Sequence, residues 1–243
     1  MLSDHGFELK KRTVICPACK NAFASNVLTH QPSITEDTVV EADLHRVIKD
    51  CTIRASLIIL CISCNYCWWQ WTFLPGNIDP IFLPKPDNED PAKKFAYAVK
   101  TGRRYNAKSI EKALMALNGY WCARESNSPV ERWLDLAIME LKAALADDSW
   151  EGNSHYYRYV LGEIQRLAGR FEAAQACFNA VDVEKSKIPY ELIYRQNSLA
   201  AAGNSQPVVL LPHLVKAMFP VFQESEQSED FVHQDNDLER VAV

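Results

Sequence analysis

The chain has 243 residues, of which 48% are hydrophobic, and a formal net charge of −5. That length gives one large domain or two ordinary ones, each with a real core. The acidic balance argues against a general nucleic-acid binder, and the longest apolar stretch, Ala55 to Ile62, falls far short of the roughly 20 residues that span a bilayer.

Residues Met1 to Arg12 mix charge and polarity and lack an apolar centre, so no signal peptide is expected. The expected location is cytoplasmic. Thiols stay reduced there, and clustered cysteines read as metal ligands before disulfides.

The first region, residues 1–73, is cysteine-rich with β-type patterning. Thr38-Val39-Val40, Cys51-Thr52-Ile53 and Ser56-Leu57-Ile58-Ile59-Leu60 are short β-prone runs. Cys16-Pro17-Ala18-Cys19 follows Thr13-Val14-Ile15, and Cys61-Ile62-Ser63-Cys64 follows Ile58-Ile59-Leu60. Each C-x-x-C lets two thiolates face one ion from a single turn, and two such turns supply four sulfurs for one structural Zn²⁺. The expected ligands are Cys16, Cys19, Cys61 and Cys64. Cys67 or Cys51 is an alternative fourth sulfur, His30 and His45 are alternative nitrogen ligands, and Cys122 and Cys177 read as core. Four thiolates close the shell and leave no position for a reacting water.

Trp68-Trp69-Gln70-Trp71 follows directly. Read as a strand, it puts Trp69, Trp71 and Phe73 on one face. That face either covers the zinc module or meets a partner.

Residues 74–89 form a linker interrupted by Pro75, Pro80, Pro84 and Pro86. A helical domain is expected over 90–222. Asp90-Pro91 is a helix start. Ile110, Leu114, Leu117 and Trp121 share one helical face. Ser128-Pro129-Val130-Glu131 is a capping box that opens the next helix. Ser154 to Ala168 and Phe171 to Val181 make a helical pair broken at Gly169, and Pro189 to Ala202 and Pro207 to Phe219 make a second. Residues 223–243 form an acidic tail expected to be disordered.

Gly162 and Ala174 let the first of these pairs approach closely, with Phe171 and Phe178 filling the gap, in the manner of a tetratricopeptide repeat. Stacked repeats of this kind offer a groove for peptides. Tyr156, Tyr159, Glu163 and Arg166 are the expected groove-facing stripe.

The two C-x-x-C motifs, the proline-broken linker and Leu161-Gly162-Glu163-Ile164-Gln165-Arg166-Leu167-Ala168-Gly169-Arg170-Phe171-Glu172-Ala173-Ala174 together resemble a bacterial family that carries only the label domain of unknown function 2225. The chain departs from it at Asn65-Tyr66-Cys67, where a Gly-Tyr-Ala type continuation is usual. The resemblance implies a zinc ribbon joined to a tetratricopeptide-like domain, and it implies no activity.

No phosphate loop, dinucleotide fingerprint, nucleophile elbow or H-E-x-x-H motif occurs. The expectation is therefore an α+β, mostly α protein: a small zinc-ribbon-like β module, then antiparallel tetratricopeptide-like helices. Its expected role is that of a non-enzymatic adaptor for another protein or peptide. A nucleic-acid-binding zinc-ribbon regulator is the alternative, disfavoured by charge. A thiol oxidoreductase is a further alternative, disfavoured because no βαβ pattern surrounds either C-x-x-C.

Overall fold

The computed structural model describes residues 6–32, 34, 38–79, 90–147 and 149–219. It is α+β, with helices dominating and a small antiparallel sheet. The chain divides into two compact units: Met1–Pro32 with Ile48–Ala144, and Ser33–Val47 with Leu145–Val243. This division differs from the expected one at 73 and 90. Helices expected in a separate domain belong to the cysteine-bearing unit, and a segment expected in the cysteine module belongs to the other.

In the first unit, β1 (Glu8–Ile15) and β2 (Ala22–His30) form an antiparallel hairpin, and β5 (Leu74–Pro75) adds to the free edge of β1. A second hairpin joins β3 (Ile58–Leu60) to β4 (Cys67–Trp69). Each hairpin therefore ends in one of the C-x-x-C turns. Cys51-Thr52-Ile53 is not a strand: Cys51–Ala55 forms helix α1, because the Asp50 side chain accepts from the Thr52 N–H and caps it. Residues 67–73 are not one strand either. After β4 the chain tightens into a 3₁₀ turn at Gln70–Thr72, so Trp69, Trp71 and Phe73 do not share a face. Trp69 and Phe73 are buried, whereas Trp71 is 51% exposed and stacks on Trp69 at 5.0 Å.

Asp90 caps α2 (Pro91–Arg104) as the sequence suggests, accepting from the Ala92 N–H. α2 packs on α3 (Ser109–Glu125) and also meets α1, β3 and β4. Ile110, Leu114, Leu117 and Trp121 are all buried. α4 (Glu131–Leu145) begins two residues later than the expected Ser128 cap implies: the Val130 carbonyl accepts the first helical bond, from the Leu134 N–H at 3.0 Å, and the Ser128 hydroxyl pairs with that of Ser126 instead. A buried ion pair ties α1 to α3. Arg54 donates two-fold to Glu125, donates to the Asn118 side chain at 3.2 Å and lies over the Trp121 ring.

In the second unit, α5 (Ser154–Leu167), capped by Asn153, and α6 (Phe171–Asn179) form the expected pair, separated by Gly169 at φ +73°. A Cβ on Gly162 would meet the Phe178 ring at 2.8 Å, so glycine is what lets α6 sit this close. α7 (Val183–Ser186), α8 (Tyr190–Ala201) and α9 (Pro212–Met218) follow. The expected linker residues 80–89 and the expected acidic tail lie outside the described residues. Among the described residues, no helix is long and apolar enough to cross a membrane.

Candidate metal centre

The two C-x-x-C turns are built alike. In the first, the Cys16 N–H donates to the Asn21 carbonyl at 3.0 Å and the Lys20 N–H to the Cys16 carbonyl at 2.9 Å. In the second, the Cys61 N–H donates to the Tyr66 carbonyl at 2.8 Å and the Asn65 N–H to the Cys61 carbonyl at 3.0 Å. Both turns need a left-handed residue just after the second cysteine, and Lys20 (φ +65°) and Asn65 (φ +58°) take that place. Asparagine adopts this conformation readily, whereas lysine does so at a cost of about 1 kcal/mol.

These turns bring four sulfurs together. Cys16 Sγ lies 3.7 Å from Cys64 Sγ and Cys19 Sγ lies 3.6 Å from Cys61 Sγ. All four lie within 4.8 Å of one another. Sulfurs at about 2.3 Å from a central ion in tetrahedral array stand about 3.8 Å apart, whereas a disulfide needs about 2.05 Å. The spacing fits one tetrahedral metal ion, and thiolate softness favours zinc.

The surroundings act unequally on the free thiols. Burial pushes the Cys16 thiol up to about 12 and also raises Cys64, while a backbone hydrogen bond from Asn21 lowers Cys19. Buried thiols resist ionisation unless a cation shares the site, and a divalent ion supplies that charge.

The alternative ligands lie elsewhere. Cys67 Sγ donates to the Lys94 carbonyl at 3.3 Å and is core. Cys51 accepts at its carbonyl from the Cys122 thiol. His30 is exposed at the end of β2, and His45 belongs to the second unit, where its Nδ1 lies 2.9 Å from Glu41 Oε2.

The expected partner-facing residues divide. Trp71 is exposed and Tyr156 half-buried. Trp69, Tyr159, Glu163 and Arg166 are internal, so no groove-facing stripe runs along α5. The reason is specific. Tyr159 Oη donates to the Ala42 carbonyl at 2.7 Å, while Arg166 pairs with Glu163 at 2.6 Å and donates to the Asn204 and Gln206 carbonyls. Residues 38–47 and 204–210 thus cover that face. Glu41, Asp43 and His45 also gather their ligand atoms within 4.8 Å, but they are bonded among themselves, with His45 N–H donating to Asp43 Oδ1 at 3.2 Å.

Sequence reading missed Lys20 and Asn65, whose signal is position: each stands immediately after the second cysteine of its pair. It also missed the aromatic contact between Tyr66 and Tyr105, whose ring centroids are 5.4 Å apart. Compared with protein-family models, curated proteins and solved structures, the chain has no match.

Proposed function

We propose that the chain is a non-enzymatic zinc protein, a zinc ribbon joined to tetratricopeptide-like helices, that serves as an adaptor for another protein. The observation that carries this reading is the four-sulfur spacing. Four equivalent thiolates fill a tetrahedral shell, so the ion staples two hairpins and has no open position for substrate. The staple matters because β3 and β4 are three residues each and too short to hold a hairpin in water alone. The resemblance to the domain-of-unknown-function family supports the pairing of ribbon and helices. Exposed aromatics supply the contact surface: Trp71 in the first unit, and Tyr190 with Tyr194 on α8, stacked at 6.1 Å.

The test is affinity capture from lysate with the zinc-loaded protein beside Trp71→Ala and Tyr190→Ala/Tyr194→Ala variants. At least one variant should lose a protein that the wild type retains. Identical sets of captured proteins would overturn the adaptor reading.

A further inference from the structure

α2 is basic along one side. Lys93, Tyr97, Lys100 and Arg104 recur at helical spacing, which places them within an arc of about 60°. The opposite face, with Ala92, Phe95, Ala98 and Val99, is buried. The helix carries no acidic residue between Pro91 and Arg104. Two of its other cations are occupied: Lys94 donates to the Ala55 and Ile58 carbonyls, and Arg103 pairs with Glu140 at 2.7 Å. Lys93, Lys100, Arg104 and the following Lys108 are exposed and form no ion pair with a carboxylate among the described residues.

Aromatic rings alternate with these charges. Lys100 Nζ lies over the Tyr97 ring and the Arg104 guanidinium over the Tyr105 ring, each at 5.7 Å from the centroid. Tyr105 is 54% exposed, and its ring is held edge-on by Tyr66. Each cation therefore covers one face of its ring, so a base stacks on the ring's other face or on the guanidinium plane while the charge meets the phosphate. The chain's net charge hides this face. Seven acids and one arginine after Phe222 account for −6, which leaves +1 on everything before them.

We propose that the exposed face of α2, continued by Tyr105 and Lys108, binds single-stranded nucleic acid. The eleven helical steps from Lys93 to Arg104 span about 16 Å, the reach of a few nucleotides. Lys93, Lys100, Arg104 and Lys108 meet phosphates, and Tyr105 takes a base. A duplex hides its base faces and a lipid surface offers none, so the ring faces favour a single strand over either. The reading goes beyond the adaptor role and touches the metal centre only through Tyr66, which holds the Tyr105 ring.

The experiment is fluorescence anisotropy of labelled oligouridine and oligothymidine, each about 12 nucleotides long, with the zinc-loaded full chain across a salt series. Three to four phosphate contacts predict a slope of log K against log salt of about −2 to −3. Lys100→Ala/Arg104→Ala should make that slope shallower by about 1.4. Tyr105→Ala should weaken binding about tenfold with the slope unchanged. These side chains are exposed, so thermal melting serves as the control for intact folding. The proposal is overturned by no binding at low salt, or by a wild-type slope in the double variant. It is also overturned if duplex DNA, polyglutamate or phosphatidylserine vesicles bind as tightly as the single strand. Because every arm uses metal-loaded protein, its failure is separable from failure of the zinc or adaptor reading.

Discussion

Arg54 and Glu125 lie 71 positions apart in sequence and meet inside the first unit, with Arg54 Nη2 2.9 Å from Glu125 Oε1 and Arg54 Nε 3.0 Å from Glu125 Oε2. Both side chains are almost fully enclosed, so each charge relies on the other for solvation. Glu125→Ala leaves the guanidinium buried without its counter-charge and should cost about 3–5 kcal/mol, read by urea unfolding. Replacing both, Arg54→Met with Glu125→Leu, should cost clearly less than the single change. A single-variant loss under about 1 kcal/mol contradicts the pairing.

Gly162 tests the packing of α5 on α6. Alanine there gains about 1 kcal/mol of helix propensity, but its Cβ meets the Phe178 ring at 2.8 Å and the Cys177 Cβ at 3.1 Å. Phe178 is enclosed, with little room to give way. Overpacking should prevail, so Gly162→Val should destabilise by about 1–3 kcal/mol. An unchanged melting temperature would mean the helices stand further apart.

How far the sequence foretold this structure depended on whether the signal was local. Asp90-Pro91, the α3 stripe and the two C-x-x-C turns each rest on chemistry within one turn of chain, and each is present. Two failures were also local but ambiguous. Cys51-Thr52-Ile53 has β-prone composition, yet Asp50 is a better helix cap than the run is a strand. Most of β1 was hidden because exposed Lys10, Lys11 and Arg12 break its alternation. The α5 groove failed for a non-local reason. Tyr159, Glu163 and Arg166 look like a polar surface stripe until residues 38–47 and 204–210 arrive to cover them. No periodicity in α5 encodes that cover.

Tyr159 sets a pH limit for the second unit. Its hydroxyl can donate to Ala42 only while protonated, and burial holds its pKa well above the ordinary 10.0. Burial likewise pushes Tyr157 up to about 12. For groups raised in this way, the stability contribution is complete below the unfolded value and is lost as pH rises through the folded value. The unit should hold its ellipticity to about pH 10 and then unfold, with phenolate absorbance rising in the same transition. Phenolate absorbance of Tyr159 at its ordinary pH with ellipticity intact would contradict its burial. Tyr159→Phe should cost about 1–3 kcal/mol at neutral pH, because the Ala42 carbonyl loses its donor.

Lys20 stands where a Cβ is disfavoured. Lys20→Gly removes that strain and should stabilise the metal-loaded protein by about 0.5–1 kcal/mol, whereas Lys20→Val should destabilise it. A stabilising valine would mean the first turn is built differently.

The central claim is one zinc ion held by Cys16, Cys19, Cys61 and Cys64. It is tested most directly by measuring zinc per chain in protein purified without chelator, while following the fluorescence of Trp68 and Trp69 through chelation. One equivalent is predicted, with chelation or acid releasing it as protons compete for the thiolates, and with the fluorescence changing as the hairpins come apart. Less than about a tenth of an equivalent, or a Cys16→Ser/Cys61→Ser protein that melts like the wild type, contradicts it.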